Sequence, residues 1–212
     1  MKKLIALALC SLICLSLAGC KATSLDKTKL DANSSNNDSL IKEAVSKYYL
    51  TQDPKNKGEL KIYNTKSFKD KYLVLAEKYS GDGHRSTDLF LLDMKHNIEA
   101  WTTGVTPISM CFSINKTEYD GSTILFGTFN NTKWDPKEDK KIPVQLNKLD
   151  IKFSDGQSLK ENISNESGYI VISNSTSKVE QFNLYNDKNE LQSNLDEMNE
   201  INETKFNAFK IK

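Results

Sequence analysis

Residues 71–104, KYLVLAEKYSGDGHRSTDLFLLDMKHNIEAWTTG, decide the fold of this 212-residue chain. They contain three apolar runs of strand length: Tyr72–Ala76, Asp88–Leu92 and Ile98–Trp101. Turn-forming residues separate the runs, namely 80–83 (SGDG) and 93–97 (DMKHN). Short apolar runs between turn signals predict neighbouring antiparallel strands. The stretch therefore predicts the greater part of an antiparallel meander.

The residues before this stretch predict another strand and one helix. Glu59–Tyr63 alternates in polarity, which adds a fourth strand to the meander. Asp38-Ser39 is a capping pair, and Leu40–Leu50 follows it. Apolar residues recur there at helical spacing: Ile41, Ala44, Val45, Tyr48 and Tyr49. Residues 38–104 are thus predicted to form a small α+β unit, with the helix packed on the meander.

The residues after Gly104 predict a second unit, 105–212, made of strands. The strand-like runs are Met110–Ile114, Thr123–Phe129, Val144–Phe153, Ser158–Ile163, Tyr169–Ile172 and Val179–Tyr185. Their spacing is typical of an immunoglobulin-like β-sandwich, although the cysteine pair of antibody domains is absent. The predicted fold class is mainly β (α+β): an N-terminal helix and antiparallel meander, followed by this sandwich. Whether the two units share one core stays open, as does the choice between helix and strand for 194–212.

The first twenty residues have the pattern of a secretory signal. Met1-Lys2-Lys3 precedes an apolar run, Leu4–Leu17, which is shorter than the roughly 20 residues of a membrane-spanning helix. Leu17-Ala18-Gly19-Cys20 then resembles the lipobox of bacterial lipoprotein precursors. The resemblance covers residues 1–20 only.

The lipobox resemblance implies cleavage between Gly19 and Cys20, which removes residues 1–19. It also implies a diacylglyceryl group on the Cys20 thiol, with an N-acyl chain as a further addition. Apart from this lipid, no cofactor is predicted. Acyl chains of this kind hold a protein at a lipid bilayer. Residues 20–37 carry no apolar period and many polar residues, so they are predicted to be a flexible tether.

Composition narrows the location and the partners. The formal net charge of +1 argues against nucleic acid as a partner. Arg85 is the single arginine in a lysine- and asparagine-rich chain, which is typical of an AT-rich genome. We expect a Gram-positive bacterium, with the protein anchored on the outer face of the cell membrane.

Cys111 is the single cysteine outside the signal and lipobox, and its apolar neighbours predict a buried thiol.

Few residues suggest catalysis or ligand binding, and each of these also has a simpler structural explanation. Asp82, His84 and Arg85 share a glycine-rich loop, where they could bind an anion or supply a base, but a solvated hairpin tip is favoured. His96 lies in a predicted turn, and a structural role there is likewise favoured over a functional one. The carboxylates Asp135, Glu138 and Asp139 could bind calcium, yet interleaved lysines favour a solvated loop. We therefore predict neither a catalytic residue nor a metal site.

The two tryptophans differ in their surroundings. Trp101 alternates within a predicted strand, which favours packing in the core. Trp134 lies in the polar stretch Asn130–Asp139 and is the candidate surface contact.

Two functions remain open from the sequence. The first is a non-catalytic binding or interaction module of the bacterial envelope, which contacts an envelope protein or a wall ligand. The second is an envelope hydrolase that uses paired carboxylates, since such residues can come from distant positions. A solute-capture subunit of a transporter is disfavoured, because those proteins have two larger lobes.

Overall fold

The computed structural model describes residues 27–55, 58–79, 85–174, 178–199, 205–206 and 210–211. The chain divides into two compact units, Met1–Asn37 and Asp38–Lys212. The lipobox, with Gly19 and Cys20, lies outside the described residues.

Two helices and fifteen strands are described. In chain order they are α1 Lys27–Gln52, β1 Leu60–Phe68, β2 Lys71–Tyr79, β3 Arg85–Asp93, β4 Ile98–Gly104, β5 Asn115–Tyr119, β6 Ser122–Thr128, β7 Thr132–Asp135, β8 Lys140–Pro143, β9 Lys148–Phe153, β10 Ser158–Asn162, β11 Gly168–Ser173, β12 Val179–Tyr185, β13 Leu191–Asn194, α2 Leu195–Asn199, β14 Lys205–Phe206 and β15 Lys210–Ile211. The fold is mainly β with an N-terminal helix, as the sequence predicts.

The strands form three larger sheets and one hairpin. The first sheet has the order β1-β2-β3-β4-β15, and its first four strands are the predicted meander. The middle sheet is β11-β6-β5-β14, and the outer sheet is β10-β9-β12-β13. The hairpin is β7-β8. All pairings are antiparallel except β14 with β5.

Side-chain alternation in the middle sheet shows how the sheets stack. On β6, Ile124 and Phe126 belong to a cluster with Leu75 and Leu89 of the first sheet. Leu125, between them, belongs to a cluster with Ile151 of the outer sheet. Successive side chains of a strand point to opposite faces. The middle sheet is therefore buried on both faces, in a sandwich-like arrangement.

The first sheet is also buried on both faces, because the helix covers the side away from the middle sheet. Ile41 and Val45 of α1 pack with Val74 and Phe90. Ile41, Val45, Tyr48 and Tyr49, four of the five apolar residues predicted to face the sheet, are buried. Burial on both faces explains why β2 and β3 are continuous apolar runs without alternation. Trp101 is half-buried and packs 5.2 Å from the Tyr48 ring centroid, in keeping with its predicted core role.

Residues Asp38–Lys212 form one compact unit. The cluster between the first and middle sheets draws residues from both sides of Gly104. The segment after Gly104 thus connects two sheets of one core.

Helix α1 begins earlier than the capping pair suggests. It starts at Lys27, so residues 27–37, predicted as tether, are helical in the structure. Glycine and proline, the residues that most strongly oppose a helix, are absent from this stretch. The predicted tether residues 20–26 lie outside the described part of the chain.

Several strands differ from the prediction. Met110–Ile114 is not a strand: it contributes buried side chains to the core, and only Phe112 forms a bridge, with Phe129. The strand is instead the polar segment β5, in which Asn115 and Thr117 are buried. Val144–Phe153 is a strand only from Lys148 onwards. The sequence missed β7, β8 and β13.

The irregular segment approaches β6 closely. A Cβ atom on Gly127 would lie 2.1 Å from the Ser113 carbonyl oxygen, so this position requires glycine. The same carbonyl accepts a hydrogen bond from the Tyr169 hydroxyl at 2.9 Å. Buried backbone groups need hydrogen-bond partners. In this irregular segment, individual contacts supply them in place of regular strand pairing.

The C-terminal region uses both alternatives that the sequence left open. Helix α2 contains the buried Met198, and the short strands β14 and β15 follow it. Lys133 Nζ holds α2 by hydrogen bonds to Glu197 Oε1 at 2.8 Å and to the Gln192 carbonyl at 2.7 Å. Neither α1 nor α2, the helices of the described chain, combines the length and apolar character needed to cross a membrane.

Candidate functional site

The principal candidate site is a cleft of about 540 Å³ where the first and middle sheets separate. We call it the inter-sheet cleft. Its lining residues come from β1, β2, β3 and the loops of the middle sheet: Glu59, Lys61, Tyr63, Glu77, Tyr79, Arg85, Phe129, Asn130 and Glu166. Three carboxylates, two cations and three aromatic rings thus face one open space.

The alternation of β2 places its last residues in the cleft. Leu73 and Leu75 belong to the core between the sheets. Glu77 and Tyr79 continue the same face of β2 beyond that core. The inter-sheet space therefore changes from apolar to polar along β2, and Glu77 lies at the transition, only 7% exposed.

Glu77 is held by a tyrosine and an arginine. The Tyr63 hydroxyl donates a hydrogen bond to its carboxylate. Burial raises the pKa of Tyr63 well above its usual range, and the negative charge of Glu77 raises it further. Arg85 Nη1 lies 3.8 Å from Glu77 Oε1, a loose ion pair. Tyr63 therefore stays a neutral donor at physiological pH.

Both cations of the cleft lie over tyrosine rings. Lys61 Nζ is 4.5 Å from the centroid of the Tyr63 ring, and the Arg85 guanidinium carbon is 5.5 Å from that of Tyr79. Ring faces carry partial negative charge and attract cations. The walls of the cleft thus already favour positive charge.

Glu166 is positioned by the turn before β11. Its φ angle of 57° is in the left-handed region, which is uncommon for a residue with a side chain. Its carbonyl accepts a hydrogen bond from Lys61 Nζ at 2.9 Å, and its carboxylate accepts one from Asn131 Nδ2 at 2.9 Å. The turn therefore presents a fixed carboxylate at the edge of the cleft.

A second, smaller cleft of about 310 Å³ lies between α1 and the β3–β4 turn. Lys47, Lys95 and His96 contribute polar groups, and Ala44 and Ile98 contribute apolar surface. His96 stacks on Tyr72, with ring centroids 5.7 Å apart and planes at 7°. This stacking gives His96 a packing role in the turn where the sequence placed it.

The sequence-selected loop Asp82-His84-Arg85 is described only at Arg85, which lines the inter-sheet cleft. Asp82 and His84 lie outside the described residues.

Trp134 is on β7 and 42% exposed. Its backbone N–H donates to the Ser109 carbonyl, which brings the 82% exposed Ile108 into the same region.

The carboxylates considered for calcium lie around the β7–β8 turn. Asp135 accepts a hydrogen bond from the Lys137 backbone, and Glu138 pairs with Lys140. Across the described ranges, no group of three His, Cys, Asp or Glu side chains is arranged to hold a metal ion. Cys111 is fully buried, as predicted, and burial raises the pKa of its thiol.

Sequence reasoning missed Glu77 and Tyr63. One signal could have found Glu77: it lies on the core-facing alternation of β2, two residues after Leu75. A charged residue in that register must find partners when it is buried. Tyr63 had no such signal, because β1 has a register irregularity between Ile62 and Asn64.

Comparisons with known proteins add no family. The chain matches no protein-family model, no curated protein sequence and no solved structure. The inter-sheet cleft is therefore the basis for a functional proposal, together with the N-terminal sequence.

Proposed function

We propose that the protein is a bacterial envelope lipoprotein, anchored through Cys20, whose inter-sheet cleft binds a ligand or partner without catalysis. The lipobox resemblance, Leu17-Ala18-Gly19-Cys20, supports the anchor. The observation that carries the binding role is the cleft itself, with its buried Glu77 and its exposed Tyr79. Clefts with a few fixed polar groups and aromatic walls are the usual form of ligand sites.

The anchor would hold the cleft at the outer face of the cell membrane. Each buried acyl CH₂ contributes about 0.8 kcal/mol, so two or three chains give stable attachment. The partner would then be an envelope protein or a wall ligand, because these occur at that surface.

Catalysis is the second candidate, and the same cleft favours it. Glu59, Glu77 and Glu166 line one concavity, and a carboxylate hydrolase uses a pair of such residues. Binding is preferred because Glu77 is engaged by Tyr63 and Arg85, and Glu166 by Asn131. A general acid or base needs a carboxyl group that can exchange its proton with the substrate.

The anchor is tested by fractionation of cells that express Cys20→Ala. We expect the wild-type protein in the membrane fraction and the variant in the soluble or secreted fraction. Equal membrane retention of the two proteins would disprove lipid anchoring at Cys20.

The cleft is tested by a photo-crosslinking amino acid in place of Tyr79, in intact cells. The matched control carries the same group in place of Leu191, which is 51% exposed on the outer sheet. We expect light-dependent adducts from the Tyr79 position only. Adducts from neither position, or equally from both, would count against the cleft as the binding surface.

The hydrolase alternative is tested on wall-polymer and protein substrates with purified protein. Turnover that Glu77→Gln abolishes would replace the binding proposal. We expect none that depends on Glu77.

A further inference from the structure

The charge balance of the inter-sheet cleft indicates which ligand it accepts. Its lining carries three carboxylates and two cations, so one negative charge is in excess. Both cations are engaged: Arg85 with Glu77, and Lys61 with the Glu166 carbonyl. In the described part of the chain, neither the Glu59 nor the Glu166 carboxylate forms an ion pair. Glu59, and Glu166 beyond its one hydrogen bond from Asn131, therefore lack a counter-charge that a ligand could supply.

The cleft's own cations show how a positive group is accommodated there. Lys61 and Arg85 each place a charge over a tyrosine ring, at 4.5 and 5.5 Å. Arg85 has a side chain that is 54% exposed and only a loose contact to Glu77, so a ligand can compete for its position. Aromatic faces beside carboxylates are a common environment for bound ammonium groups.

Thr128 of β6 is 3% exposed, and among the described residues its Oγ1 has no hydrogen-bond partner. It follows Phe126 by two residues on β6, so it is on the face toward the first sheet, and it precedes Phe129 of the lining. Buried hydroxyls in proteins usually form a hydrogen bond, so Thr128 Oγ1 can accept one from a polar group that reaches it.

We propose that the inter-sheet cleft binds a ligand that carries primary ammonium groups, an inference that rests on the proposed binding function. An ammonium group has three donors and no acceptor, which complements carboxylate and hydroxyl oxygens. An anionic ligand would meet the excess negative charge. A neutral ligand would leave the Glu59 and Glu166 carboxylates without a counter-charge.

Two sources share this chemistry, an acyclic polyamine and an amino sugar, and a matched set of probes separates them. The probes are spermidine, a glucosamine trimer and the N-acetylglucosamine trimer, which has the same rings without the ammonium groups. Titration calorimetry uses the full chain purified in detergent, at pH 6 and low salt. We expect saturable binding of at least one amine, no binding of the acetylated trimer, and weaker binding as salt is added.

Two variants and one control test whether the amine binds in the inter-sheet cleft. Glu77→Gln preserves shape and hydrogen-bond acceptance for Tyr63, and Glu59→Gln changes an exposed residue, so its effect does not depend on core stability. Each is expected to raise the Kd for the amine by at least about tenfold. The control Glu118→Gln removes an exposed carboxylate of β5, outside the cleft, and should leave the Kd unchanged.

Each result supports or overturns the ammonium assignment. Binding of spermidine alone indicates an acyclic amine, and tighter binding of the glucosamine trimer indicates an amino sugar. Equal affinity for the acetylated trimer, no saturable amine binding, or unchanged Kd in both cleft variants would overturn it. If crosslinks form at Tyr79 without amine binding, the proposed function stands and the ligand class fails. Glu77-dependent amine binding without crosslinks would support the ammonium assignment and would count against an envelope protein as the partner.

Discussion

The Tyr49 hydroxyl shows how a single residue joins the helix to the first sheet. It donates a hydrogen bond of 2.5 Å to Asp88 Oδ2, and both residues are buried. Lys78 Nζ lies 5.4 Å from the centroid of the same ring. Burial of a carboxylate is costly unless donors surround it. The polar contact therefore specifies where α1 lies on the sheet, in addition to the apolar packing.

Tyr49→Phe is expected to destabilise the protein by about 1–3 kcal/mol, because it removes a donor from a buried carboxylate. Urea denaturation monitored by circular dichroism measures the change. Tyr72→Phe, which keeps a ring that stacks on His96, is the control and should change stability much less. Equal losses of stability in the two variants would contradict a stabilising role for the hydrogen bond to Asp88.

Tyr48 should make stability depend on pH in alkaline solution. Burial, and then the charge of Asp88, raise the pKa of Tyr48 to about 12 from its ordinary value of 10. Below pH 10 the residue is protonated in both the folded and unfolded states, so its contribution is complete. Between pH 10 and 12 the unfolded state loses the proton first, and stability falls. The urea midpoint of Tyr48→Phe should fall less over this range than that of wild type, and parallel curves would contradict this assignment.

Among the elements, α1 packs on the first sheet through the face that carries Ile41. Ile41 is 1% exposed and packs on the first sheet, whereas its neighbour Leu40 is 40% exposed. The sequence predicted this face from the helical spacing of Ile41, Val45 and Tyr48. It did not predict the start at Lys27, because residues 27–37 have no apolar period.

Ile41→Ala is expected to cost about 2–5 kcal/mol, through lost apolar burial and the cavity that remains. Leu40→Ala makes the same kind of truncation at a neighbouring position that is 40% exposed, and it should cost well under 1 kcal/mol. Thermal and urea unfolding of the two variants compare these positions directly. Similar losses would mean that α1 does not pack through the Ile41 face.

At the scale of the whole molecule, the middle sheet links two cores. Ile124 and Phe126 pack toward the first sheet, and Leu125 and Val171 toward the outer sheet. Because the same strands border both clusters, loss of one exposes the other. Residues Asp38–Lys212, which include both predicted units, form one compact unit.

Residues 38–212 are therefore expected to unfold in one cooperative transition. Scanning calorimetry should give equal calorimetric and van't Hoff enthalpies, the mark of a two-state process. Two resolved transitions would instead indicate that the first sheet and the outer sheet are independently stable.

Most of the helices and strands can be predicted from local patterns in the sequence. The runs in 71–104 became β2, β3 and β4, and the apolar face of α1 lies where its spacing placed it. The N-terminal lipobox and the role of Trp134 as a surface contact stay predictions. These features depend on residues that are close together in the chain, which is why short-range chemistry suffices to recognise them.

The tertiary structure alone decided the stacking of the sheets and the site. Glu77 and Glu166 are distant in sequence and meet only because β2 and the β10–β11 turn lie at the same opening between two sheets. The polar strand β5 exists because its neighbour β6 supplies backbone partners, while the apolar Met110–Ile114 fills the core without a ladder. Strand pairing and cleft formation depend on long-range contacts, and a local pattern does not contain them.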